Sequence, residues 1–178
     1  MCKSLQIAVA GVKYCNETGR LIKKKCDNID VDLFCLGDGK YPRTHQDIYI
    51  ITDRLCNGMY LKPDIYTETI KGIVENIRPC DIAIINIDDE DLIRHLQGLK
   101  CNIITYGYNS RASVTISGIN NDVFTGESYY VCSLQRTIKT VNNKKIEPCE
   151  VRISVTEDYN PQSVMAYSAF LISSDRIN

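Results

Sequence analysis

The chain has 178 residues, of which 44% are hydrophobic and 24% charged, and 21 basic against 22 acidic side chains give a formal net charge of -1. This composition predicts one globular domain and excludes a disordered or fibrous chain. The near-neutral charge excludes a general attraction to nucleic acid or to an anionic membrane. The first apolar stretch, Leu5–Val12, is too short for a signal peptide or a membrane span, so we expect a cytoplasmic protein.

The cysteines indicate a reduced protein. There are nine, an odd number, so they cannot all pair within the chain. No two of them have a C-x-x-C or similarly close spacing, and the only histidines are His45 and His95, so we predict no metal site. Cys15 lies in the loop expected after the first strand, and spacing alone does not show whether its thiol is reactive or merely exposed.

Three short apolar runs open the chain and predict buried strands of a mainly parallel sheet: Leu5–Gly11, Val31–Gly37 and Asp47–Thr52. The stretch between the first two runs is weakly helical at best. Pro63 then begins a segment with apolar residues at helical spacing, and Pro79 ends it. We expect an amphipathic helix there.

The alternation of strands and helices continues in the middle of the chain. Asp81–Ile87 is a continuous apolar strand, and Asp88–Gln97 is a helix with acidic residues in its first turn, followed by Gly98 as a helix stop. Asn102–Tyr106 is the next strand. Such alternation predicts parallel pairing, right-handed crossovers and helices that cover the sheet.

After Tyr108 the pattern becomes strand-rich. Four strand-like segments are joined by turns: Ala112–Ile119, Tyr129–Gln135, Thr137–Val141 and Cys149–Val155. The sequence Val141-Asn-Asn-Lys144 predicts a hairpin turn between the third and fourth, because Asn tolerates the positive φ of such turns. We therefore expect antiparallel pairing in this region.

The last element is a terminal helix, Pro161–Ile172, with Asn160 as its cap. Together these elements predict an α/β fold in which a mainly parallel sheet with flanking helices is combined with a small antiparallel sheet near the C-terminus. We expect a single unit over 1–178, divided into a parallel α/β part (1–108), antiparallel strands (109–160) and a terminal helix (161–173).

Two segments in the middle of the chain resemble a known family. The first is Asp81-Ile-Ala-Ile-Ile-Asn-Ile-Asp-Asp89, and the second, after a helix, is Asn102-Ile-Ile-Thr-Tyr-Gly-Tyr-Asn-Ser-Arg-Ala112. Their order resembles the second half of the central domain of Mur ligases, the ATP-dependent amide ligases that add amino acids to the peptidoglycan precursor. The resemblance extends more loosely over Asp47–Ile172. A simpler reading is that Asp88 and Asp89 cap the helix and that Gly107 provides a turn.

The resemblance implies a site that this sequence keeps only in part. The family holds the ATP phosphates in a glycine-rich loop after its first strand, but Gly11–Gly19 contains no Gly-Lys-Ser/Thr and its Lys13 comes too early. The family's magnesium site would fall at Ile51–Cys56, where Asp53 is followed by Arg54 and no histidine. The sequence therefore resembles a reduced relative that lacks the phosphate-binding loop, and we expect no cofactor.

The resemblance also implies candidate site residues. Lys71 lies near the place of the family's carbamylated lysine, although an ordinary solvated helix lysine is the alternative. The candidate ligand-binding residues end parallel strands, where open α/β sheets bind ligands; they are Asn86, Asp88, Asp89, Thr52 and Asp53.

Our leading hypothesis is a non-catalytic Mur ligase-like domain, a pseudoenzyme that binds a small ligand or a protein partner. One alternative is a subunit of an ATP-dependent amide ligase that a partner chain completes. Another is a structural or regulatory interaction module without a ligand. Self-association into a homo-oligomer stays open, and no nucleic acid or membrane partner is expected.

Overall fold

A computed structural model describes residues 4–53, 63–121 and 128–177. In chain order its strands are β1 Leu5–Gly11, β2 Ile29–Cys35, β3 Ile48–Ile51, β4 Ile82–Asn86, β5 Asn102–Tyr106, β6 Val114–Asn121, β7 Ser128–Leu134, β8 Ile138–Lys139, β9 Lys145–Ile146 and β10 Cys149–Val155. The α-helices are α1 Cys15–Lys25, α2 Pro63–Asn76, α3 Glu90–His95 and α4 Pro161–Ser173, and a short 3-10 helix spans Leu36–Asp38.

Eight strands form one mixed sheet in the order β10-β7-β6-β5-β4-β3-β1-β2. The neighbours from β2 to β6 pair in parallel, whereas β6, β7 and β10 pair antiparallel. Strands β8 and β9 form a separate two-stranded antiparallel sheet. The predicted fold class, a mainly parallel sheet with flanking helices and a small antiparallel sheet, is confirmed.

The predicted hairpin after Val141 is correct in place but wrong in its second strand. Its turn joins β8 to β9, with Ile138 opposite Ile146, and Asn143 has the positive φ of 59° that such turns require. Strand β10, which we expected to be the hairpin's partner, pairs instead with β7 in the large sheet. The reason is burial, since alternate residues of β10 face the core from Val151 onwards.

Alternating side chains of the central strands divide the core between the two faces of the sheet. On β1, Ile7 and Val9 pack into a cluster with residues of α1 and α4, while Ala8 and Ala10 pack into a second cluster with residues of α2 and α3. Helices therefore cover both faces, as parallel sheets require.

Helix α1 corrects the expectation that the stretch after β1 is weakly helical at best. It is an 11-residue helix whose Leu21 and Ile22 are fully buried, and its last turn, Lys23–Lys25, complements the negative end of the helix dipole. Tertiary packing stabilises this helix more than its intrinsic propensity does.

Helix α4 confirms the predicted terminal helix and its cap. The side-chain oxygen of Asn160 accepts a hydrogen bond from the backbone nitrogen of Gln162 at 2.9 Å, and Pro161 occupies the first helical position. Nearly all of its side chains are buried, which explains why its sequence is apolar on most sides. Within the described ranges no helix has both the length and the apolar character needed to cross a bilayer.

Candidate functional site

The connection between β1 and α1 is short and closely packed. Strand β1 ends at Gly11 and α1 begins at Cys15, which leaves only residues 12–14 between them. A Cβ on Gly11 would lie 1.8 Å from Oγ1 of Thr52, so glycine is required for the ends of β1 and β3 to approach this closely. The same hydroxyl oxygen also lies 3.3 Å from the carbonyl oxygen of Ala10.

Asp53 fills the position that an anion would take at the start of α1. Its Oδ2 accepts the backbone N–H of Lys13 at 2.8 Å, and its Oδ1 accepts the backbone N–H of Tyr14 at 2.9 Å and the hydroxyl of Thr52 at 2.7 Å. Successive backbone amides before a helix are a typical phosphate site. Here a carboxylate of the chain itself, only 5% exposed, satisfies them.

The charge at the start of α1 is also unlike that of a phosphate-binding loop. When the first glycine of the Gly-x-x-x-x-Gly-Lys-Ser/Thr motif is aligned with Gly11, its lysine falls on Glu17 and its hydroxyl residue on Thr18. The carboxylate of Glu17 accepts the backbone N–H of Asn160, at the start of α4. An acidic side chain that binds the next helix thus replaces the lysine that would bind phosphates.

Cys15 is a core residue rather than a reactive thiol. It is buried, and its Sγ donates to the carbonyl of Gly11 at 3.4 Å. Burial, followed by the nearby charges of Asp53 and Cys35, raises the pKa of this thiol from its ordinary value of 9.0 to about 11. The question that the sequence left open is therefore answered, since reactive cysteines have lowered pKa values and access to solvent.

The candidate site has a second part. It lies at the same edge of the sheet as the β1–α1 loop, where the carboxyl ends of β4 and β5 meet. Asn86 Oδ1 accepts the backbone N–H of Asp88 at 3.0 Å. The carboxylate of Asp88 accepts the backbone N–H groups of Tyr108 and Asn109 at 2.7 and 2.9 Å. Gly107, with a φ of 148°, permits the contact, because a Cβ there would lie 2.6 Å from Asp88 Oδ2. These hydrogen bonds to Asp88 thus stabilise the turn that follows β5.

The two acidic residues after β4 have different partners. Asp89 caps α3, with its Oδ1 accepting from the backbone nitrogen of Leu92 at 3.0 Å. The expectation that both aspartates cap this helix is right for Asp89 and wrong for Asp88. Asp88 also accepts from Nε2 of Gln162 at 3.0 Å, which connects the edge to α4.

Tyr106 joins the two parts of the edge and was not singled out by the sequence analysis. Its side chain is fully buried, and its hydroxyl donates to the carbonyl of Thr52 at 3.3 Å. Burial and then the carboxylate of Asp53 hold the pKa of this phenol well above its usual value. The structure therefore brings Thr52 and Asp53 close to the end of β5, where Asp88 lies. Whether these residues bind a ligand stays a prediction.

Lys71 lies away from the core on α2. Its side chain is 75% exposed, and its Nζ lies 3.9 Å from Oε1 of Glu75, one turn further along the helix. This environment is that of a solvated helix lysine, and the carbamylated-lysine assignment stays a prediction.

A second group of polar residues lies at the opposite edge of the sheet, where β3 and β4 begin. His45 Nε2 lies 2.8 Å from Asp81 Oδ1, and Cys80 Sγ lies 3.5 Å from the same oxygen. This group is not evident from the sequence, because His45 and Asp81 are 36 positions apart. The available signal was that Asp81 directly precedes β4 and His45 lies shortly before β3, and these two strands pair in parallel.

Comparison with known proteins identifies the family. The family model described as the Mur ligase middle domain matches residues 59–169, which is more than half of the chain. The chain belongs to the Mur ligase middle-domain family. The match begins after the β1–α1 loop and after Asp53, so it covers the second part of the edge, around Asp88, but not the first. Curated proteins gave no significant match.

Solved structures of Mur ligases share the fold. The UDP-N-acetylmuramoylalanyl-D-glutamyl-2,6-diaminopimelate–D-alanyl-D-alanyl ligase from Acinetobacter baumannii is 12% identical, with a TM-score of 0.64, over 97% of this chain and 43% of its own. The MurF ligase from Thermotoga maritima in complex with ADP is 12% identical, with a TM-score of 0.60, over 96% and 44%.

The UDP-N-acetylmuramate-alanine ligase MurC from Thermotoga maritima is 17% identical, with a TM-score of 0.60, over 96% of this chain and 42% of its own. The middle-domain chain described here thus spans less than half the length of these three ligases.

Proposed function

We propose that this protein is a non-catalytic member of the Mur ligase middle-domain family, which acts by binding a small ligand or a protein partner and does not ligate amino acids with ATP. The observation that carries the proposal is the carboxylate of Asp53, which accepts the amides of Lys13 and Tyr14 at the start of α1. A phosphate could use these amides only after displacing that buried carboxylate.

Negative charge at the β1–α1 loop also opposes phosphate binding. Phosphate groups entering between β1 and α1 would meet the carboxylate of Asp53 and would find Glu17 where the motif has lysine. Like charges in a partly buried site repel strongly, because the local dielectric is lower than that of water. Lys13, a lysine of the loop itself, has its Nζ 5.0 Å from the centre of the Tyr14 ring, in a cation–π contact.

The other edge residues are also engaged within the chain. Asn86 and Asp88 accept backbone N–H groups, and Asp88 additionally accepts Gln162. These contacts support a framework role for the residues that the resemblance suggested as ligand contacts. Binding would then use a surface of the domain other than this edge. A link to peptidoglycan and a cytoplasmic location are part of the proposal and rest on the family.

The decisive experiment is thermal unfolding of the purified protein with ATP, ADP or a UDP-linked peptidoglycan precursor, each with and without Mg²⁺. A ligand that binds only the folded state raises the unfolding midpoint, and the rise grows with the logarithm of its concentration above the dissociation constant. We expect no Mg²⁺-dependent shift with ATP or ADP. A matched control is the Glu17→Gln variant, which removes one acidic charge near the loop and should also show no nucleotide effect.

The outcomes separate the candidate functions. A Mg²⁺-dependent rise of the midpoint with ATP would overturn the proposal and favour a nucleotide-using ligase subunit. A rise with the UDP-linked precursor alone would support a small-ligand binding role.

A further inference from the structure

The edge of the sheet opposite the β1–α1 loop contains a group of metal-ligating side chains. His45 lies shortly before β3, and Cys80 and Asp81 directly precede β4. One ligand atom from each of the three lies within 4.8 Å of the others. Because β3 and β4 are parallel neighbours, their amino ends meet at this edge, and the segments before the two strands bring His45 into contact with Asp81.

Two of the three ligand separations are close to those of a tetrahedral zinc ion, and the third, between His45 and Cys80, is at most 4.8 Å. With zinc–ligand bonds of about 2.0–2.3 Å, two ligand atoms on one zinc lie roughly 3.3–3.7 Å apart. Cys80 Sγ and Asp81 Oδ1, at 3.5 Å, already have that separation. His45 Nε2 and Asp81 Oδ1 are hydrogen-bonded at 2.8 Å and need to separate by only about 0.5 Å to receive the ion.

The chemistry of the three groups favours Zn²⁺. Thiolate and imidazole ligands select zinc over Mg²⁺ and Ca²⁺, which prefer all-oxygen sites. Asp81 is only 2% exposed, and a buried carboxylate needs a cation or hydrogen bonds. Its Oδ2 accepts the backbone N–H of Arg78 at 2.7 Å, which fixes the carboxylate and leaves Oδ1 directed towards His45 and Cys80.

The site is accessible. Cys80 is exposed, and a cleft of about 320 Å³ is lined by His45, Cys80 and Asp81 together with Asp47 and Asn142. A zinc ion held by three protein ligands keeps a fourth position for water or another group. The cleft provides that space.

We propose that His45, Cys80 and Asp81 form a Zn²⁺ site with one coordination position open to the cleft. On binding, the Cys80 thiol releases its proton to solvent, and the His45 ring loses the Nε2 proton that it donates to Asp81 and carries its remaining proton on Nδ1. The thiolate, the freed Nε2 lone pair and Asp81 Oδ1 then become ligands. The site is independent of the proposed function, because it uses neither Asp53 nor the residues around Asp88.

The test is Zn²⁺ binding by isothermal titration calorimetry to the tag-free protein after treatment with a chelator. We expect one zinc per chain and at least a tenfold weaker affinity in Cys80→Ser and in His45→Asn, neither of which should unfold the protein because both side chains reach solvent. The matched controls are Cys149→Ser and His95→Asn, which should bind zinc as the unaltered protein does.

A second measurement identifies the ligand. Co²⁺ in place of zinc should give a sulfur-to-metal charge-transfer absorption in the unaltered protein and in Cys149→Ser, and this absorption should be absent in Cys80→Ser. The proposal is overturned if the unaltered protein binds no Zn²⁺, or if Cys80→Ser and His45→Asn bind it with unchanged affinity.

Discussion

The carboxylate of Asp53 lies 2.8 Å from the backbone nitrogen of Lys13 and accepts its N–H across 40 positions of sequence. This contact, with the one to Tyr14, closes the β1–α1 loop from within the chain. A position that could hold a phosphate thereby becomes part of the framework.

Replacing Asp53 with Ala should both destabilise the protein and create an anion site. The backbone amides of Lys13 and Tyr14 would lose their acceptor, and a buried unsatisfied donor costs about 1–3 kcal/mol. We expect a lower free energy of unfolding in urea. We also expect inorganic phosphate to raise the thermal midpoint of the variant but not of the unaltered protein, because the freed amides would bind it.

The control for this variant is Asp158→Ala, which removes an exposed carboxylate and should change neither quantity. If Asp53→Ala unfolds as the unaltered protein does and gains no response to phosphate, Asp53 does not occupy the anion position.

Asp88→Ala should lower stability if Asp88 is a framework residue. The variant removes the acceptor of Tyr108, Asn109 and Gln162, so the turn after β5 and its link to α4 are lost together. The expected cost is about 1–3 kcal/mol in urea unfolding. The exposed Asp30→Ala serves as the matched control. Unchanged stability in Asp88→Ala would indicate a residue kept for a ligand instead.

Asn160→Ala should cost about 1 kcal/mol, because it removes the side-chain acceptor of the α4 cap. Asn160→Asp keeps an acceptor at the same place and should lose much less. The comparison is made by urea unfolding of the two variants. Equal losses would mean that the cap hydrogen bond does not stabilise α4.

Thiol labelling should distinguish Cys15 from Cys80. Since the pKa of Cys15 is raised to about 11 and its side chain is buried, it has almost no thiolate at pH 8. Cys80 is exposed. We expect iodoacetamide to modify Cys80 first and Cys15 only after unfolding, as followed by peptide mass spectrometry. Rapid labelling of Cys15 in the folded protein would contradict its burial.

Alkaline pH should weaken the fold through its buried thiols. Burial raises the pKa of Cys15, Cys101 and Cys132 from 9.0 to about 11. These thiols therefore lose their protons at a lower pH in the unfolded chain than in the folded protein. The contribution of these protonated thiols to the free energy of unfolding is fully present below pH 9 and is lost as the pH rises from 9 towards 11. Urea unfolding at several pH values should show this decline, with a smaller slope in Cys132→Ala. An equal slope in that variant would exclude Cys132 as a contributor.

Much of the fold could be predicted because its signals are local. Short β-branched runs that alternate with helices indicate a parallel sheet, and Asn160 before Pro161 indicates a helix start, without any knowledge of distant residues. Helix α1 was underestimated because its stability comes from burying Leu21 and Ile22 against the sheet, which its own composition does not show.

The sequence by itself determined the order of most strands and helices, with α1 and β9 as the exceptions, together with the family resemblance around Asp88 and the lack of a Gly-Lys-Ser/Thr motif. The tertiary structure alone decided that Asp53 binds the amides of the β1–α1 loop, that Cys15 is buried, and that His45 lies beside Asp81. The physical reason is that periodicity and capping act within a few residues, whereas these contacts join side chains to partners on neighbouring strands, and the sheet's register decides which groups meet.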